Sequence, residues 1–314
     1  MSSAAYLRAF GSYVPEQRVD NAALAARTGR PAETIEKTTG ILERHYAAAD
    51  QSVADLGFAA AQDCLATANL DPSAVGLLLV SSGSAERCFP GPAATIAAKF
   101  GWTATPALDF PFASAGALIG MALAADLVAR YGNVLVVASE IMSRRITDSD
   151  PDTAILFGDG AGACLLSRDS GFARIADLAL YTDGNFADLL VLPHGGTLEM
   201  NGLGVIMQAA RKVPRAIADL LAKNNISAND VQAFLMHQAN RNLLAKIAKE
   251  LKVPEDRFFS NIASFGNTSS ASLLIAAMQW SKSATITGPI VFAAFGAGLQ
   301  WGALLALPVA PSAS

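Results

Sequence analysis

The apolar segments of this 314-residue chain occur twice, about 156 positions apart. Residues 77–80 (LLLV) correspond to residues 233–236 (AFLM), and residues 134–138 (VLVVA) correspond to residues 290–294 (IVFAA). Strands that are apolar on both faces belong to a sheet that is covered on both sides. Chance similarity of apolar strands is the alternative. We interpret the pattern as a duplicated α/β unit.

Each half also ends on a glycine-containing turn and an apolar strand, FGDGAGACLL in the first half and FGAGLQWGALL in the second. Between the strands, apolar residues recur with helical spacing at 53–68, 114–131, 207–224, 241–251 and 270–280. Helices that alternate with strands are typical of an α/β fold. The sequence therefore predicts two similar halves, residues 1–168 and 169–314, fused into one layered body.

Composition excludes several classes of protein. Lys and Arg number 23 against 27 Asp and Glu, a net charge of −4, which excludes the broad basic surface of a nucleic-acid-binding protein. Cys64, Cys88 and Cys164 are widely spaced and form no CxxC motif, so neither a disulfide framework nor a zinc site is predicted. We expect reduced, buried cysteines in a cytoplasmic protein with no metal and no cofactor.

One segment, residues 290–310, is apolar and long enough to suggest a membrane span. Gly296, Gly298 and Gly302 interrupt it, and the apolar stretches on either side have the length of strands. We therefore predict two buried strands joined by a glycine turn, and no membrane association. The N-terminal sequence MSSAAYLRAF also lacks the basic and apolar regions of a secretory signal.

The three histidines can be weighed individually. His45 follows two charged residues and is interpreted as a surface or loop residue, while His194, in the glycine-rich LPHGG, is a loop residue or lines a pocket. His237 ends the apolar strand AFLM and comes just before a predicted helix. Ligands in open α/β sheets bind beyond the carboxyl ends of strands. His237 is therefore a candidate for chemistry, with a hydrogen-bonded structural histidine as the alternative.

Two further polar residues stand where helices begin. Asn267, in SFGNTSSAS, is either an N-cap or a side-chain amide that points into a pocket. Ser114, in LDFPFASAGALIGMALA, follows an apolar strand and precedes a helix of small residues. A nucleophile there would lie at the positive end of the helix dipole, beside free backbone N–H groups. An ordinary serine N-cap is the alternative.

A series of motifs runs along nearly the whole chain. They are IEKTTGILERHY, LFGDGAGA at residues 156–163, MNG at 200–202, RKVP at 211–214, MHQAN at 236–240, FGNTSSAS at 265–272 and FGAGLQWG at 295–302. In content and order the series resembles the β-ketoacyl-ACP synthase III family, condensing enzymes of the thiolase superfamily. The resemblance implies a five-layered αβαβα fold of two similar halves and a homodimer.

Carried over residue by residue, the resemblance implies that His237 and Asn267 are the family's catalytic histidine and asparagine. In the family, a cysteine thiolate takes an acyl group from a thioester, and decarboxylation of malonyl-ACP gives an enolate that attacks this acyl group. Two convergent hydrogen-bond donors would stabilise the charge on the enolate oxygen. The backbone N–H groups of Ser114 and of Ala297, in the glycine turn, would form the oxyanion hole for the acyl carbonyl.

The nucleophile is the main departure from the family, because Ser114 stands where the family has its cysteine. A serine hydroxyl is a weaker nucleophile than a thiolate and needs a base. Three interpretations are open. The serine replaces a native cysteine, or it is natural and uses His237 as general base, or the protein is a catalytically weak relative that serves as a partner subunit.

The residues that hold the nucleotide of CoA in acetyl-CoA-dependent members of the family are also absent. Thr34, Thr38 and Leu42 occupy the places of the family's tryptophan and arginines, and Asn242 occupies that of the arginine after the histidine motif. Loss of a stacking ring and of guanidinium groups weakens recognition of adenine and phosphate. The acyl donor is therefore a carrier-protein thioester, or a CoA thioester that is held differently.

Basic residues occupy the predicted helix after the histidine motif, at Arg241, Lys246, Lys249 and Lys252. They form a solvated helix face or a docking surface for an acidic acyl carrier protein, for which we select Arg241, Lys246 and Lys249. The resemblance implies that the partners of the protein are acyl carrier protein thioesters or acyl-CoA thioesters.

Phe89, in RCFPGPA, matches the family's loop phenylalanine, which crosses the dimer and caps the neighbour's acyl pocket. Cys88 beside it is interpreted as structural. Together these features predict a ketosynthase III-like enzyme that transfers an acyl group from a thioester to residue 114 and condenses it with a malonyl-type extender on a carrier. The alternatives are an O- or N-acyltransferase that acts through Ser114 without decarboxylation, and a non-catalytic subunit of a condensing enzyme.

Overall fold

The structure is a computed structural model that describes residues 4–309. The outermost residues of the two predicted halves, 1–3 and 310–314, lie outside the described part.

Strands make up the centre of the molecule. Within residues 4–309 they are β1 (Tyr6–Tyr13), β2 (Gln17–Asp20), β3 (Glu43–Tyr46), β4 (Leu77–Ser81), β5 (Ala107–Phe110), β6 (Asn133–Ile141), β7 (Asp159–Ser167), β8 (Ala173–Thr182), β9 (Leu190–Val191), β10 (Glu199–Met200), β11 (Ala233–Met236), β12 (Phe258–Phe259), β13 (Ile290–Gly296) and β14 (Gln300–Pro308).

Helices cover these strands. In the same part of the chain they are α1 (Asn21–Thr28), α2 (Ala32–Thr39), α3 (Val53–Thr67), α4 (Pro92–Lys99), α5 (Gly116–Tyr131), α6 (Pro151–Ala154), α7 (Gly202–Lys223), α8 (Arg241–Leu251), α9 (Ile262–Phe265) and α10 (Ser272–Ser283).

The large sheet consists of two five-stranded parts with the same strand order. The first part runs β5-β4-β6-β7-β1 and the second β12-β11-β13-β14-β8. In each part the middle strand pairs parallel with one neighbour and antiparallel with the other, as β6 does with β4 and β7 and β13 does with β11 and β14. The parts meet where β1 pairs with β8, at two residue positions. The predicted boundary at residues 168 and 169 falls between β7 and β8 and stays a prediction.

Helices and sheet parts alternate as five layers. Helices α3 and α4 pack their apolar residues on the outer face of the first part. Helices α5 and α10 fill the space between the two parts, and α7 and α8 cover the outer face of the second part. The αβαβα architecture of the thiolase fold, predicted from the resemblance, is therefore confirmed. Both faces of the sheet are buried, which explains the continuous apolar runs of its strands.

The repeated apolar segments form corresponding strands, β4 with β11 and β6 with β13. Residues 290–308 form the hairpin β13–β14, as predicted in place of a membrane span. The connection before β7 differs from the predicted glycine turn, because 17 residues that include α6 separate β7 from β6. Among residues 4–309, no helix is both long and apolar enough to cross a membrane.

Candidate active site

Three of the predicted site residues line one small cavity. Ser114, His237 and Asn267 come from segments that follow β5, β11 and α9, and all three are buried. The cavity has a volume of about 60 Å³, and its other walls are mainly apolar, formed by residues such as Val205 and Phe295. Because ligands gather beyond the carboxyl ends of parallel strands, this is the position that the strand pattern predicted.

Ser114 is the central residue of a tight turn between β5 and α5. Its φ is +60°, a left-handed conformation that is uncommon for residues other than glycine, and the Ala115 N–H donates to the Ala113 carbonyl across it at 2.7 Å. The turn packs directly against the backbone of Gly296. Only glycine fits there, because a Cβ at this position would lie 2.2 Å from the Ala113 carbonyl oxygen. The Ser114 hydroxyl has no hydrogen-bond partner within the described residues, so the alternative of an N-cap is wrong.

His237 is held by Ser272 at the start of α10. The Ser272 hydroxyl accepts the Gln238 main-chain N–H at 3.0 Å and lies 2.6 Å from His237 Nδ1. The Ser272 hydroxyl can donate its own proton to Nδ1, which corresponds to the tautomer with the imidazole proton on Nε2. Burial lowers the pKa of His237 to about 3, with a hydrogen bond to the Ser269 backbone acting in the opposite direction. The ring is thus neutral at physiological pH and can donate through Nε2.

Asn267 uses only part of its side chain in the fold. Its Oδ1 accepts the Ser269 main-chain N–H at 2.9 Å, which fixes the orientation of the amide. The Nδ2 group makes no hydrogen bond to another residue of the described chain and is the remaining donor beside the cavity. Asn267 therefore stabilises a turn but is not an N-cap, since Thr268 holds that position before the short helix at Ser269–Ala271, and its NH₂ group is free for a ligand.

A buried carboxylate behind the cavity was not predicted from the sequence. Glu140, in β6, is fully buried and accepts hydrogen bonds from Ser84 Oγ at 2.6 Å, Ser270 Oγ at 2.6 Å and the Gly83 N–H at 3.0 Å. Burial raises its pKa, and these donors oppose that change. The sequence signal was a single glutamate in an otherwise apolar strand.

Ser269 connects this carboxylate to the cavity residues. Its hydroxyl donates to Glu140 Oε1 at 3.1 Å and accepts the Ser114 main-chain N–H at 3.0 Å. The Ser114 N–H predicted as an oxyanion donor is therefore paired in this structure. Ala297, the other predicted donor, lies in the turn after β13 and lines a neighbouring larger cavity of about 580 Å³.

The remaining predicted site residues lie on the surface. Phe89 is 87% exposed, in the loop between β4 and α4. Arg241, Lys246 and Lys249 are exposed on α8 and form no ion pair within the described residues. The first turn of α8 also lines the small cavity through Leu243.

The segment that would hold a CoA nucleotide is engaged in internal contacts. The Thr38 carbonyl accepts from the side-chain amides of Asn240 and Asn242, at 2.9 Å and 3.1 Å. The Thr38 hydroxyl donates to the Thr34 carbonyl at 2.7 Å, and Leu42 is 50% exposed. The C-terminal end of α2 is thus attached to the start of α8 by two side-chain amides.

Expectations about two single residues need correction. His45 was expected at the surface or in a loop; it lies half-buried in strand β3, with its Nδ1 2.5 Å from the Pro15 carbonyl, so the loop alternative is wrong. Cys88 is exposed and lies beside His194 in the larger cavity, rather than buried as a structural residue, whereas Cys64 and Cys164 are buried and all three are free. Among residues 4–309, no group of three or more His, Cys, Asp or Glu side chains is placed to hold a metal ion.

The chain is similar to known proteins in both of its halves. Residues 108–184 match the family model of 3-oxoacyl-[acyl-carrier-protein (ACP)] synthase III, and residues 221–307 match that of its C-terminal part. The β-ketoacyl-[acyl-carrier-protein] synthase III of Oleidesulfovibrio alaskensis is 35% identical, over 97% of this chain and 99% of that protein.

Two solved structures extend the comparison. The 3-oxoacyl-(acyl carrier protein) synthase III of Pseudomonas aeruginosa superposes with a TM-score of 0.92 at 31% identity, over 98% of this chain and 100% of that one. The priming β-ketosynthase of the R1128 polyketide biosynthetic pathway has a TM-score of 0.90 at 30% identity, over 98% and 97% of the two chains. The fold and these matches define a thiolase-fold condensing enzyme, a transferase. Within that class, the chain belongs to the β-ketoacyl-[acyl-carrier-protein] synthase III family.

Proposed function

We propose that this protein accepts an acyl group on residue 114 and condenses it with a malonyl-type extender carried by an acyl carrier protein. The observation that carries the proposal is the convergence of Ser114, His237 and Asn267 on one buried cavity. The names of its relatives support a role in building fatty acids or polyketides. Ser114 takes the place of the family's cysteine in this proposal.

The acyl transfer makes an ester at Ser114 Oγ and releases the donor's thiol. The Ala297 N–H, in the turn next to Gly296, is the proposed donor for the oxygen of the carbonyl under attack. Among residues 4–309, His237 is the one titratable side chain that lines the small cavity. In the tautomer with its proton on Nε2, the ring cannot take the Ser114 proton through that nitrogen, so this proposal predicts a slow acylation step.

The condensation uses His237 and Asn267 as hydrogen-bond donors. Loss of CO₂ from the malonyl group leaves its electron pair on an enolate, whose oxygen would accept from His237 Nε2 and Asn267 Nδ2. The enolate carbon then attacks the Ser114 ester, and the serine oxygen leaves and takes up a proton. A neutral imidazole suits this step because it donates a hydrogen bond without needing to change its charge. This favours condensation over acyl transfer with His237 as general base.

The position of α8 supports delivery by a carrier protein. Its exposed Arg241, Lys246 and Lys249 form a basic face, while Leu243 of the same helix reaches the small cavity. An acidic carrier on this face would have its acyl arm beside the cavity. Asn242, bonded to α2, offers no guanidinium for a CoA phosphate.

We propose that the protein forms a homodimer through the β5 edge of the large sheet. Strand β5 ends the strand order, pairs only with β4 within the described residues, and carries Leu108, which is 52% exposed. An unpaired apolar edge is a template for another strand. The loop after Phe89 lies against this strand, since a Cβ on Gly91 would meet Asp109. Phe89 therefore projects beside the proposed dimer interface.

Acylation of residue 114 tests the proposal directly. Wild type and Ser114→Cys are incubated with butyryl-CoA and with butyryl carrier protein, and the peptide that contains residue 114 is analysed by mass spectrometry. We expect the cysteine variant to acylate much faster, because a thiolate is the better nucleophile. Absence of a butyryl group on this peptide in Ser114→Cys with both donors would contradict the assignment.

Decarboxylation separates condensation from simple acyl transfer. After acylation, malonyl carrier protein is added and CO₂ is measured, with His237→Ala and Asn267→Ala as variants. Each is expected to lower CO₂ release on the order of 10²-fold, the usual cost of removing one donor to a developing oxyanion. Acylation without CO₂ release would identify an acyltransferase, and absence of both would identify a non-catalytic subunit.

A further inference from the structure

The carboxylate of Glu140, in β6, is fully buried and has no cationic partner within the described residues. The hydrogen bonds that it accepts come from serine hydroxyls and from the Gly83 main-chain N–H, and it forms no salt bridge in the same part of the chain. Burial of a charge without a counter-ion is costly, and here only hydrogen bonds offset it. The reason for Glu140 therefore lies in the contacts that it makes.

Glu140 connects the two halves of the large sheet. Its Oε2 accepts the Ser84 hydroxyl at 2.6 Å, in the loop after β4 of the first half. Its Oε1 accepts the hydroxyls of Ser269 and Ser270, at 3.1 Å and 2.6 Å, from the turn before α10. Hydrogen bonds to an ionised acceptor are roughly twice as strong as those between neutral groups. The carboxylate thus anchors residues 269–272 (SSAS), which we call the serine segment, to the first half of the sheet.

The serine segment holds two of the site residues through Ser269. The Ser269 main-chain N–H donates to Asn267 Oδ1 at 2.9 Å. The Ser269 hydroxyl accepts the Ser114 main-chain N–H at 3.0 Å. Because one residue makes both bonds, a shift of Ser269 would move the amide of Asn267 and the turn of Ser114 together.

The third site residue is held at the other end of the same segment. Ser272 lies 2.6 Å from His237 Nδ1 and is the first residue of α10. Glu140 itself is not among the described residues that line the small cavity. It lies behind the site, and its hydrogen bonds reach Ser114 and Asn267 through the serine segment rather than directly.

We propose that Glu140 is a positioning residue for the reaction at residue 114, and that it acts by holding the serine segment so that Ser114 and Asn267 face the cavity in a reactive geometry. This role rests on the proposed function. Reacting groups must be held in a near-attack arrangement, and a small misplacement lowers the rate of the chemical step. Because Glu140 makes no contact with the cavity, its loss should lower the maximal rate and leave donor binding unchanged.

Glu140→Gln in the Ser114→Cys background tests this role. Glutamine keeps the size of the side chain, but it is neutral and its NH₂ group cannot accept a hydrogen bond. We expect the maximal rate of butyryl transfer from butyryl carrier protein to fall roughly tenfold, because the bond to Ser269 is no longer charge-assisted. The half-saturating concentration of the donor should stay the same.

Ser84→Ala is the matched control for this measurement. It also removes one hydrogen bond to Glu140, and it leaves one main-chain N–H, that of Ile141, without its acceptor. It removes no contact of the serine segment, so acylation in the Ser114→Cys background should keep the parent rate.

A double-mutant cycle shows whether Glu140 acts through Ser269. Ser269→Ala removes the connection to residue 114, so adding Glu140→Gln should slow acylation by less than about twofold more. Effects that multiply, or acylation at the parent rate in folded Glu140→Gln, would overturn the proposal. If Glu140→Gln does not fold, Glu140→Asp takes its place with the same expected results, since it is one methylene too short to reach the hydroxyls of both halves.

Amide hydrogen exchange gives a measurement that needs no acyl donor. The peptide that contains residue 114 should exchange faster in Glu140→Gln than in wild type, because the Ser114 N–H is held less firmly, and at the wild-type rate in Ser84→Ala. Unchanged exchange in Glu140→Gln would show that the carboxylate does not hold this turn. If Ser114→Cys itself is not acylated by any donor, the proposed function fails, and hydrogen exchange still decides whether Glu140 holds the turn.

Discussion

The hydroxyl of Ser269 accepts the main-chain N–H of Ser114 at 3.0 Å. The two residues are 155 positions apart and belong to different halves of the sheet. Both have positive φ, +60° at Ser114 and +48° at Ser269, so two strained turns face each other across one hydrogen bond. Through its donation to Glu140, Ser269 connects the turn of Ser114 to a buried carboxylate.

Removal of the Ser269 hydroxyl should loosen the turn at residue 114. Ser269→Ala leaves the Ser114 N–H and one bond of Glu140 unpaired, which costs about 1–3 kcal/mol for each buried group. We expect a lower free energy of unfolding and, in the Ser114→Cys background, slower acylation. Denaturant unfolding and mass spectrometry measure the two effects.

Ser270→Ala is the matched control, because Ser270 also donates to Glu140 but makes no hydrogen bond to Ser114. It should destabilise the fold less, because it removes only one hydrogen bond to Glu140, and should leave acylation at the parent rate. Equal acylation rates in the two variants would show that the Ser269 bond does not position residue 114.

The neutral state of His237 should make stability depend on pH. Its pKa falls from 6.5 to about 3 on folding, so the unfolded chain binds more protons between these values. The stabilising contribution of this group to the free energy of unfolding should therefore be complete above pH 6.5. As the pH falls below 6.5, the free energy of unfolding should decrease by about 1.4 kcal/mol per pH unit because of this group. Glu140, whose pKa is raised, contributes in the opposite direction, as stability that is lost when the pH rises.

The contribution of His237 is isolated by comparing variants. His237→Gln should reduce the loss of stability between pH 6.5 and 4 in denaturant unfolding, while His45→Gln should retain it. Identical pH profiles for wild type and His237→Gln would mean that the imidazole is not held neutral.

A dimer through the β5 edge should depend on Leu108. Stable homodimers bury on the order of 2,000 Å² or more, so the wild type should elute as a dimer at micromolar concentration, with the mass confirmed by light scattering. Leu108→Lys places a charge on the edge and should shift the mass to that of a monomer. Leu203→Lys is the control, since Leu203 is 72% exposed on α7, in an outer layer. A monomeric wild type would reject the dimer.

Carrier-protein thioesters should be better donors than CoA thioesters. A carrier protein would contact the basic α8 face mainly through long-range interactions between charged groups. Salt screens such interactions, over a Debye length of about 8 Å at physiological ionic strength, so the rate advantage of the carrier over CoA should decrease as salt is added. Acylation rates of Ser114→Cys with matched butyryl donors at low and high salt measure this. Lys246→Glu/Lys249→Glu should slow only the reaction with the carrier. Equal or faster acylation by CoA at both salts would contradict the prediction.

The fold could be predicted because strands that are buried on both faces of a sheet appear in the sequence as continuous apolar runs. Strand β11 and helix α8 begin at the residues where the apolar pattern placed them, at Ala233 and Arg241. Helix α7 was predicted from residue 207 but begins at Gly202, where Asn201 caps the Gly204 N–H. The start of α7 was missed because its first turn contains two glycines. Glycine has no apolar side chain to contribute to a helical pattern, and it is unfavourable inside a helix.

The candidate site was only partly predictable. The positions of Ser114 and Asn267 follow from local motifs, whereas Glu140 bonds to Ser270 across 130 positions and Cys88 meets His194 across 106. Hydrophobic periodicity reports which face of an element is buried. It does not report which polar residues meet when distant elements pack, so these pairs required the structure.

The shared strand order of the two sheet parts makes the halves comparable position by position. Ser114 and Asn267 both follow the edge strand of their half, β5 and β12, and precede its central helix. In the same way Ser81, the last residue of β4, corresponds to His237, which directly follows β11. The site thus lies where equivalent loops of the two halves meet, so a doubled scaffold produces one site per chain instead of two. Neither half contains all three of Ser114, His237 and Asn267.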